Sequence, residues 1–516
     1  MPPGTIIPLR LVSLPGCKRD GTPLEGNNYI DMKWCRMQRD LPRKIGGYRR
    51  LSNRLTDVSR GLHVYDVNGQ TYVHSGGATV LERFLVSPIG VVSSIVDRTP
   101  AAFTTSTNNL WQFDAMYDTT SAAVTILAHA APNAADISSS TARPVYYGSI
   151  TGSGVLTVTT ATSVSGGLVV LHPYAFVFGS DGILYWSAPN LPNDYAAAGS
   201  GSARVADAKI VRGLPVRAGA GNGPAGLFWT LNSVVRATFV GGTAFFNFDE
   251  ITSQTSIMSS QSVIEYDGVF FWAAVDRFLM YNGVVREVPN DMNANWFFDN
   301  LNYTWRNRVF AFKVPRYGEI WWCYPRGTAT ECTHAVIYNV NKGYWYDTEL
   351  PNSGRTAAHF AQVFSHPLLT GLEADTSTDQ YRLWEHEFGV DELDGADVRA
   401  VQSYFETAEF MLPQPENPGL PISERSMLCY TVEPDFVQTG GMTLTIKGRW
   451  NSRSPLFTSD PYPFAATAAT SAEEILTTQA NLRQMRFLFD SNVQGGDYQM
   501  GKVLIHIQEG DGRLRS

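Results

Sequence analysis

Residues 263–288, VIEYDGVFFWAAVDRFLMYNGVVREV, read as four short strands separated by three turns. The strands are expected over 263–266, 269–273, 278–281 and 284–288, each rich in β-branched or aromatic residues. Asp267-Gly268 and Asn282-Gly283 supply the positive φ angles that two-residue hairpin turns demand, and Asp276-Arg277 is a turn-prone step between them. A meander of this size cannot bury both of its faces alone. It requires similar neighbours.

Those neighbours are visible on both sides. Residues 61–84, GLHVYDVNGQTYVHSGGATVLERF, carry Val67-Asn68-Gly69 as their turn. A looser unit spans 110–128, and further ones lie at 174–190 (YAFVFGSDGILYWSAPN), 226–242 (GLFWTLNSVVRATFVGG), 319–350 and 358–388. Each repeats the order strand, Gly/Asn/Asp turn, strand, at intervals of roughly 40 to 50 residues, the spacing of propeller blades. The expected fold is therefore all-β: a β-propeller of six to eight irregular blades over 61–390. A polar Ser/Thr/Ala-rich insertion is expected near 129–167, with strands such as 154–159.

Outside the repeats the character changes. Residues 1–60 read as an irregular basic N-terminal arm closing onto the propeller. Residues 290–307, NDMNANWFFDNLNYTWRN, read as a short helix packing through Trp296, Phe297, Leu301 and Trp305. The acidic run from Asp391 to Asp397 and the Pro-rich MLPQPENPGLP mark a solvated linker over 391–421. Beyond it, 422–516 alternates as in MTLTIKGRW and KVLIHIQE, the pattern of a smaller β-sandwich-like domain.

Composition agrees with this class. The chain has 516 residues, 44% apolar, 12% aromatic and 17% charged, with 45 Gly and 28 Pro, which fits many short strands and turns rather than disorder or long helices. A net charge of −8 argues against tight, general binding to phosphate backbones. Five cysteines without a CxxC indicate a reducing compartment and no disulfide framework. Prolines and Arg10 interrupt the first residues where a signal peptide needs an apolar core, and no run approaches the roughly 18 apolar residues of a membrane span. The expectation is a soluble, unexported chain.

Little in the sequence points to catalysis. Residues 496–502, GDYQMGK, have the glycine-lysine spacing of a phosphate loop, but Val503 stands where Ser or Thr must bind magnesium, so a hairpin turn is expected. His386-Glu387 lacks a second histidine and reads as a surface pair. Ser180-Asp181-Gly182 has the wrong spacing for the Asp-box turn of propeller glycosidases. Glycoside cleavage would need two positioned carboxylates, or a Tyr with an acid, in a cleft, and no such set stands out. The expectation is no enzyme, no cofactor and no metal. Adjacent Trp321 and Trp322 must face opposite sides of a strand, as sheet packing more than as a stacking platform.

Arg36, Arg39, Arg43, Lys44, Arg49, Arg50 and Arg54 cluster in the N-terminal segment with few acids between them. They are candidates for docking an acidic partner or nucleic acid, against the alternative of a solvated loop face.

Several stretches line up in one order: Asn28-Tyr29-Ile30-Asp31; the basic segment; LPRKIGGY at 41–48; VSRG at 58–61; LYWSAPNLPNDY at 184–195; DGVFFWAAVDRFLMYNG at 267–283; the helix after Pro289; FKVPRYGEIWWCYP at 312–325; and VIYNVNKGYWY at 336–346. Together they resemble the tail nozzle proteins of short-tailed bacteriophages, also called packaged-DNA stabilisation or head-closure proteins. The chain departs from that pattern at Arg43-Lys44-Ile45-Gly46, where Arg-Pro-Gly is frequent, and in the polar stretch after Ala128. The resemblance implies a structural virion protein made in the host bacterial cytoplasm. It implies a hexameric ring in the tail, below portal and adaptor proteins, that retains the genome and forms the channel for DNA ejection. Implied partners are further copies of the chain, the adaptor and portal, tail fibre, spike or needle proteins, and double-stranded DNA passing without sequence specificity. The seven basic residues then become candidates for docking onto the adaptor. The alternative from another class is a glycan-binding or glycan-cleaving β-propeller associated with the host surface.

Overall fold

The architecture is that of a computed structural model describing residues 6–51, 54–87, 89–132, 136–216, 223–242, 244–361, 366–373, 380–412, 425–466 and 475–510. Among these residues the regular elements are strands, one helix (Ala294–Asn300) and three short 3-10 turns, so the class is all-β.

The meander at 263–288 is present. Val263–Tyr266, Val269–Ala273, Phe278–Tyr281 and Val285–Glu287 pair antiparallel in that order. Asp267 (φ 49°) and Gly268 (φ 82°) close its first hairpin, with Tyr266 opposite Val269. The last turn differs from expectation. Tyr281 pairs with Val285, so the loop holds three residues, and Val284 is lifted out of the sheet to 57% exposure.

Six more meanders share the plan. Sheet one is Leu62–Val67, Gln70–Gly76, Leu81–Val86 and Val92–Asp97. Sheet two is Leu110–Asp118, Ala123–Ala131, Val145–Ser149 and Thr157–Val158. The stretch 129–167, expected as an insertion, thus supplies sheet two with its outer strands, which are hidden because they are only five and two residues long. Sheet three is Gly167–Leu171, Tyr174–Phe178, Ile183–Trp186 and Gly201–Arg204, and sheet four is Ile210–Pro215, Ala225–Thr230, Val234–Phe239 and Phe246–Thr252. The opening meander is sheet five. Sheet six is Phe310–Val314, Glu319–Tyr324, His334–Asn339 and Tyr344–Glu349. Sheet seven begins with Arg355–His359, Leu368–Leu372 and Tyr381–His386, and is completed by Tyr48–Arg50, Glu392–Asp394 and Asp397–Arg399.

The first strands of sheets one to four adjoin in chain order, as do those of sheets five to seven, and Arg355–His359 of sheet seven also lies against Leu62–Val67 of sheet one. Sheets four and five meet through Trp229 and Trp272, whose rings stand edge to face 5.8 Å apart. The meanders remain separate sheets, joined by side chains. Trp321 and Trp322 show how. Trp321 packs on Phe312 and Trp34, while Trp322 turns the other way onto Phe278 and Trp345, and both are buried. The two-residue period of a strand thus covers both faces of sheet six.

The N-terminal segment is not irregular. Its described part carries Ile6–Arg10, Leu14–Cys17, Asn28–Tyr29, Asp31–Lys33, Cys35–Gln38, Leu41–Lys44 and Tyr48–Arg50. Four of these pair with the far end of the chain: Ile6–Arg10 with Leu504–Glu509, Asp31–Lys33 with Ser403–Glu406, Leu41–Lys44 with Tyr498–Met500, and Tyr48–Arg50 with Tyr381–His386. Such short strands leave no local signature because their ladders are completed by remote residues.

The C-terminal strands Met427–Glu433, Leu476–Leu482 and Leu504–Glu509 form one antiparallel sheet, and Ser403–Glu406, Gln484–Ser491 and Met442–Arg449 belong to another; both share an apolar core with Phe405, Phe436 and Phe489. The acidic run expected as a solvated linker is instead part of sheet seven, with Asp391 and Glu392 buried. Residues 413–421 of that expected linker lie outside the described residues. All five cysteines are buried and free.

The expected helix is shorter than 290–307: Ala294–Asn300, followed by the 3-10 turn Tyr303–Arg308. Phe297 and Leu301 are buried as anticipated. Trp296 instead lies between the guanidinium groups of Arg19 (5.2 Å) and Arg326 (4.0 Å). The first-turn N–H groups of Asn295 and Trp296 each donate to the Asp20 carboxylate at 2.8 Å. The N-terminal segment therefore caps a helix some 275 residues away.

Candidate functional site

Of the seven basic residues Arg36 and Lys44 are buried, Arg43, Arg49 and Arg50 are half-buried, and Arg39 and Arg54 are exposed. Arg36 is 1% exposed; its Nε and Nη2 donate to Glu319 at 2.9 and 3.0 Å, and its Nη1 donates to Glu387 at 2.8 Å. The Tyr346 hydroxyl (2.5 Å) and Trp321 Nε1 (2.9 Å) also donate to Glu319, and Tyr317 lies 3.7 Å beneath the guanidinium. Lys44 is buried, and its Nζ donates to the Gly496 carbonyl at 2.6 Å; burial lowers its pKa from the ordinary lysine value. Arg49 pairs with Glu385 at 2.6 Å and lies 3.9 Å over Phe388. Arg50 pairs with Asp394 at 2.6 Å, and Arg54 with Glu373 at 2.9 Å. Arg43 donates to Gln38 at 2.5 Å.

Arg39 is exposed and has no hydrogen-bond or ion-pair partner among the described residues. Burial removes Arg36 and Lys44 from any outward basic face, while the other five keep part of their surface. The segment is a clasp, in which cations from the beginning of the chain neutralise acids of sheets six and seven. His386-Glu387, expected at the surface, belongs to the same clasp: both are largely buried, and His386 Nε2 accepts from Arg355 at 2.9 Å.

A cavity of about 230 Å³ lies where the first strands of six sheets converge. The chain brings one polar residue into it from nearly every side: His63 from sheet one, Gln112 from sheet two, Arg212 from sheet four, Glu265 from sheet five, Lys313 from sheet six and His359 from sheet seven. Gln261 spans the space. Its Nε2 donates to the Arg60 carbonyl at 2.8 Å and the Trp111 carbonyl at 3.2 Å, linking the start of sheet five to sheets one and two. Lys313 Nζ donates to the Glu265 carbonyl at 2.8 Å and its carboxylate at 3.3 Å. Arg212 Nη1 stands 3.4 Å from Gln112 Oε1.

The electrostatics follow from burial. The rings of His63 and His359 are 5.8 Å apart. Desolvation pushes His63 down to about 3, helped by His359. It also pushes His359 down to about 4, where Arg212 and Lys313 act in the same direction. Both imidazoles are neutral at pH 7. Behind Arg212, Asp114 accepts from the Ala115 and Val170 N–H groups at 2.8 and 2.7 Å, yet burial raises it to about 6.

None of these cavity residues stands out in the sequence on its own. Their shared signal is a polar residue set into the apolar first strand of a unit, as in GLHV, LWQF, IVRG, AFKV and AAHF. Two other motifs resolve simply. Ser180-Asp181-Gly182 is the turn before Ile183–Trp186, with Asp181 accepting from Ile183 N–H at 3.1 Å. In 496–502, the strand Tyr498–Met500 replaces the expected hairpin turn. Among the described residues no group of three or more His, Cys, Asp or Glu is placed to hold a metal ion, and no helix is long and apolar enough to cross a membrane.

No protein-family model and no curated protein matches the chain. Among solved structures, a computationally designed protein, Ika8, is similar at 11% identity over 65% of this chain and 98% of its own, with a TM-score of 0.35.

Proposed function

We propose that the chain is a seven-bladed β-propeller with a C-terminal β-domain, and that it serves as a structural subunit of the nozzle of a short phage tail. Seven successive meanders support the propeller reading: first strands adjoin among sheets one to four, among sheets five to seven and between the seventh and the first, and sheets four and five meet through Trp229 and Trp272. The ordered sequence resemblance supports the tail reading.

The observation that carries the structural role is the clasp. Strand Tyr48–Arg50 is inserted between Tyr381–His386 and Glu392–Asp394, so the last sheet is stitched from both ends of the chain. Such a closure resists opening under load because several sheets must break together, as a pressurised DNA conduit requires. The duplex does not run through the subunit itself. DNA grooves alone are about 12 and 6 Å wide, whereas the cavity here holds about 230 Å³ and is spanned by Gln261. In this reading the bore is formed between copies of the chain, and the adaptor, portal, fibre or needle proteins bind the outside of the ring. Arg39 remains a candidate docking residue.

Electron microscopy of the purified chain and of phage particles tests this. A ring with a through-channel, present at about six copies per portal, is expected. A chain absent from particles would overturn the reading.

A further inference from the structure

We propose that the corner where the tip of hairpin 35–44 meets two turns of sheet six docks an acidic polypeptide segment, held by Arg39, Arg316 and Lys342. Under the tail reading, on which this rests, the segment belongs to a neighbouring protein of the particle. Gln38 pairs with Leu41, so Arg39 and Asp40 alone form the hairpin turn. Asp40 accepts from the Tyr344 hydroxyl at 3.0 Å and pairs with Lys342 Nζ at 3.4 Å. Arg36 of the same hairpin lies 3.7 Å over Tyr317, and Arg316 leans on that ring at 5.4 Å. The turns carrying Arg316 and Lys342 are fastened together, since the Val340 N–H donates to the Gly318 carbonyl at 2.7 Å.

The backbone singles this turn out. Arg39 and Asp40 have φ of 55° and 66°, a left-handed pair for which Asn-Gly and Asp-Gly are the unstrained choices. Two other hairpins with the same loop length use those choices, Asn68-Gly69 and Asp267-Gly268. Arg39 is held in the strained conformation although it is exposed and has no hydrogen-bond or ion-pair partner among the described residues. Strain kept where it makes no internal contact points to function.

Charge sets the partner. Arg39, Arg43, Arg316 and Lys342 have Asp40 among them, and Arg43 meets only the neutral Gln38. The buried Arg36 with Glu319 and Glu387 takes back at most one further charge, so at least two positive charges stay unmatched. Arginine forks match carboxylates through paired hydrogen bonds. Duplex binding draws on roughly six to ten phosphate contacts, more than this corner offers, and Asp40 between Arg39 and Lys342 repels a continuous phosphate backbone.

Fluorescence anisotropy of the full chain with labelled hexaglutamate, and with a short DNA duplex, tests this at physiological ionic strength. Hexaglutamate is expected to bind. Arg39→Asn and Arg316→Gln should each weaken it about two- to fivefold, and the triple variant that adds Lys342→Gln at least about tenfold. Asparagine accepts the left-handed turn, so Arg39→Asn should melt at or above the temperature of the parent. No hexaglutamate binding, unchanged binding by the triple variant, a lowered melting temperature in Arg39→Asn, or DNA binding that weakens by the same factors would each overturn the docking assignment. None of these readouts depends on whether the chain occurs in particles, so a failure here is distinct from a failure of the tail reading.

Discussion

Arg36 and Glu319 lie 283 positions apart in the chain, have side chains 1% and 0% exposed, and are joined by two hydrogen bonds, Nε to Oε1 at 2.9 Å and Nη2 to Oε2 at 3.0 Å. Removing one partner of a buried pair costs far more than the pair contributes, because the other charge stays behind. Arg36→Met leaves Glu319 and Glu387 facing each other without a cation. A loss of about 3–5 kcal/mol is expected by denaturant unfolding. Burial already raises the Glu319 pKa, and Arg36 opposes that rise. Without Arg36 the acid is pushed higher still, so the penalty is largest at alkaline pH and shrinks as acidification protonates Glu319. A loss of equal size at pH 5 and pH 8 would refute this account.

Arg50 and Asp394 offer a reversible test of the clasp. Arg50→Glu sets two carboxylates against each other and is expected to lower stability by roughly 1 kcal/mol, since the pair is part-exposed. Adding Asp394→Arg should recover most of that loss in thermal unfolding. Arg39→Glu, at an exposed position with no partner among the described residues, should stay within about 0.5 kcal/mol of the parent. If Arg39→Glu alone blocks tail attachment, a docking role is isolated from a folding role.

Several histidines make the fold acid-sensitive. His63 and His129 are held at about 3 and about 4 by burial, and His74 lies well below the ordinary value. Each is neutral when folded and takes a proton when unfolded, so its stabilisation is complete above about pH 6.5. It is lost at up to about 1.4 kcal/mol per pH unit as the pH falls toward the folded value. Asp114, raised to about 6, runs the other way, as do the raised carboxyls of Glu82, Glu319, Glu409 and Asp490, but the lowered histidines also include His334, His359 and His386, six in all. The melting temperature is therefore expected to fall from pH 6.5 to 4.5. His74 is 0% exposed, with neither ring nitrogen hydrogen-bonded among the described residues, so His74→Leu should be neutral or stabilising and should flatten that fall.

Gly76 is required for space. A Cβ there would lie 2.2 Å from Cγ of Trp111, which is itself 2% exposed and donates from Nε1 to the Gly77 carbonyl at 2.8 Å. Gly76→Ala is expected to cost about 1–3 kcal/mol by overpacking. A shift in tryptophan emission should accompany the loss. An unchanged denaturation midpoint would show that the indole can move aside freely.

What the sequence discloses depends on how local its physics is. Asp267-Gly268 announces its turn because two adjacent residues determine it, and sheet five was legible to within a residue or two. Asn282-Gly283 misleads because Val284 joins the loop, a choice made by the pairing of Tyr281 with Val285. Arg36 and Lys44 look like surface charge because Glu319, Glu387 and the Gly496 carbonyl that bury them are remote in sequence. Glu392 misleads in the same way: its partners include the Tyr48 hydroxyl at 3.0 Å. The cavity residues were missed for a related reason. Only the convergence of six sheets turns isolated polar residues in apolar strands into one charged enclosure.

The strand Tyr48–Arg50 also sets a timetable. It leaves the ribosome early, yet its two neighbours in sheet seven, Tyr381–His386 and Glu392–Asp394, emerge more than 300 residues later. At 5–20 residues per second, that wait is of the order of 15 to 70 seconds. Ile6–Arg10 waits longer, for Leu504–Glu509. During synthesis the internal hairpin of Cys35–Gln38 with Leu41–Lys44 can close at once, while Ile6–Arg10 and Tyr48–Arg50 wait for partners translated hundreds of residues later.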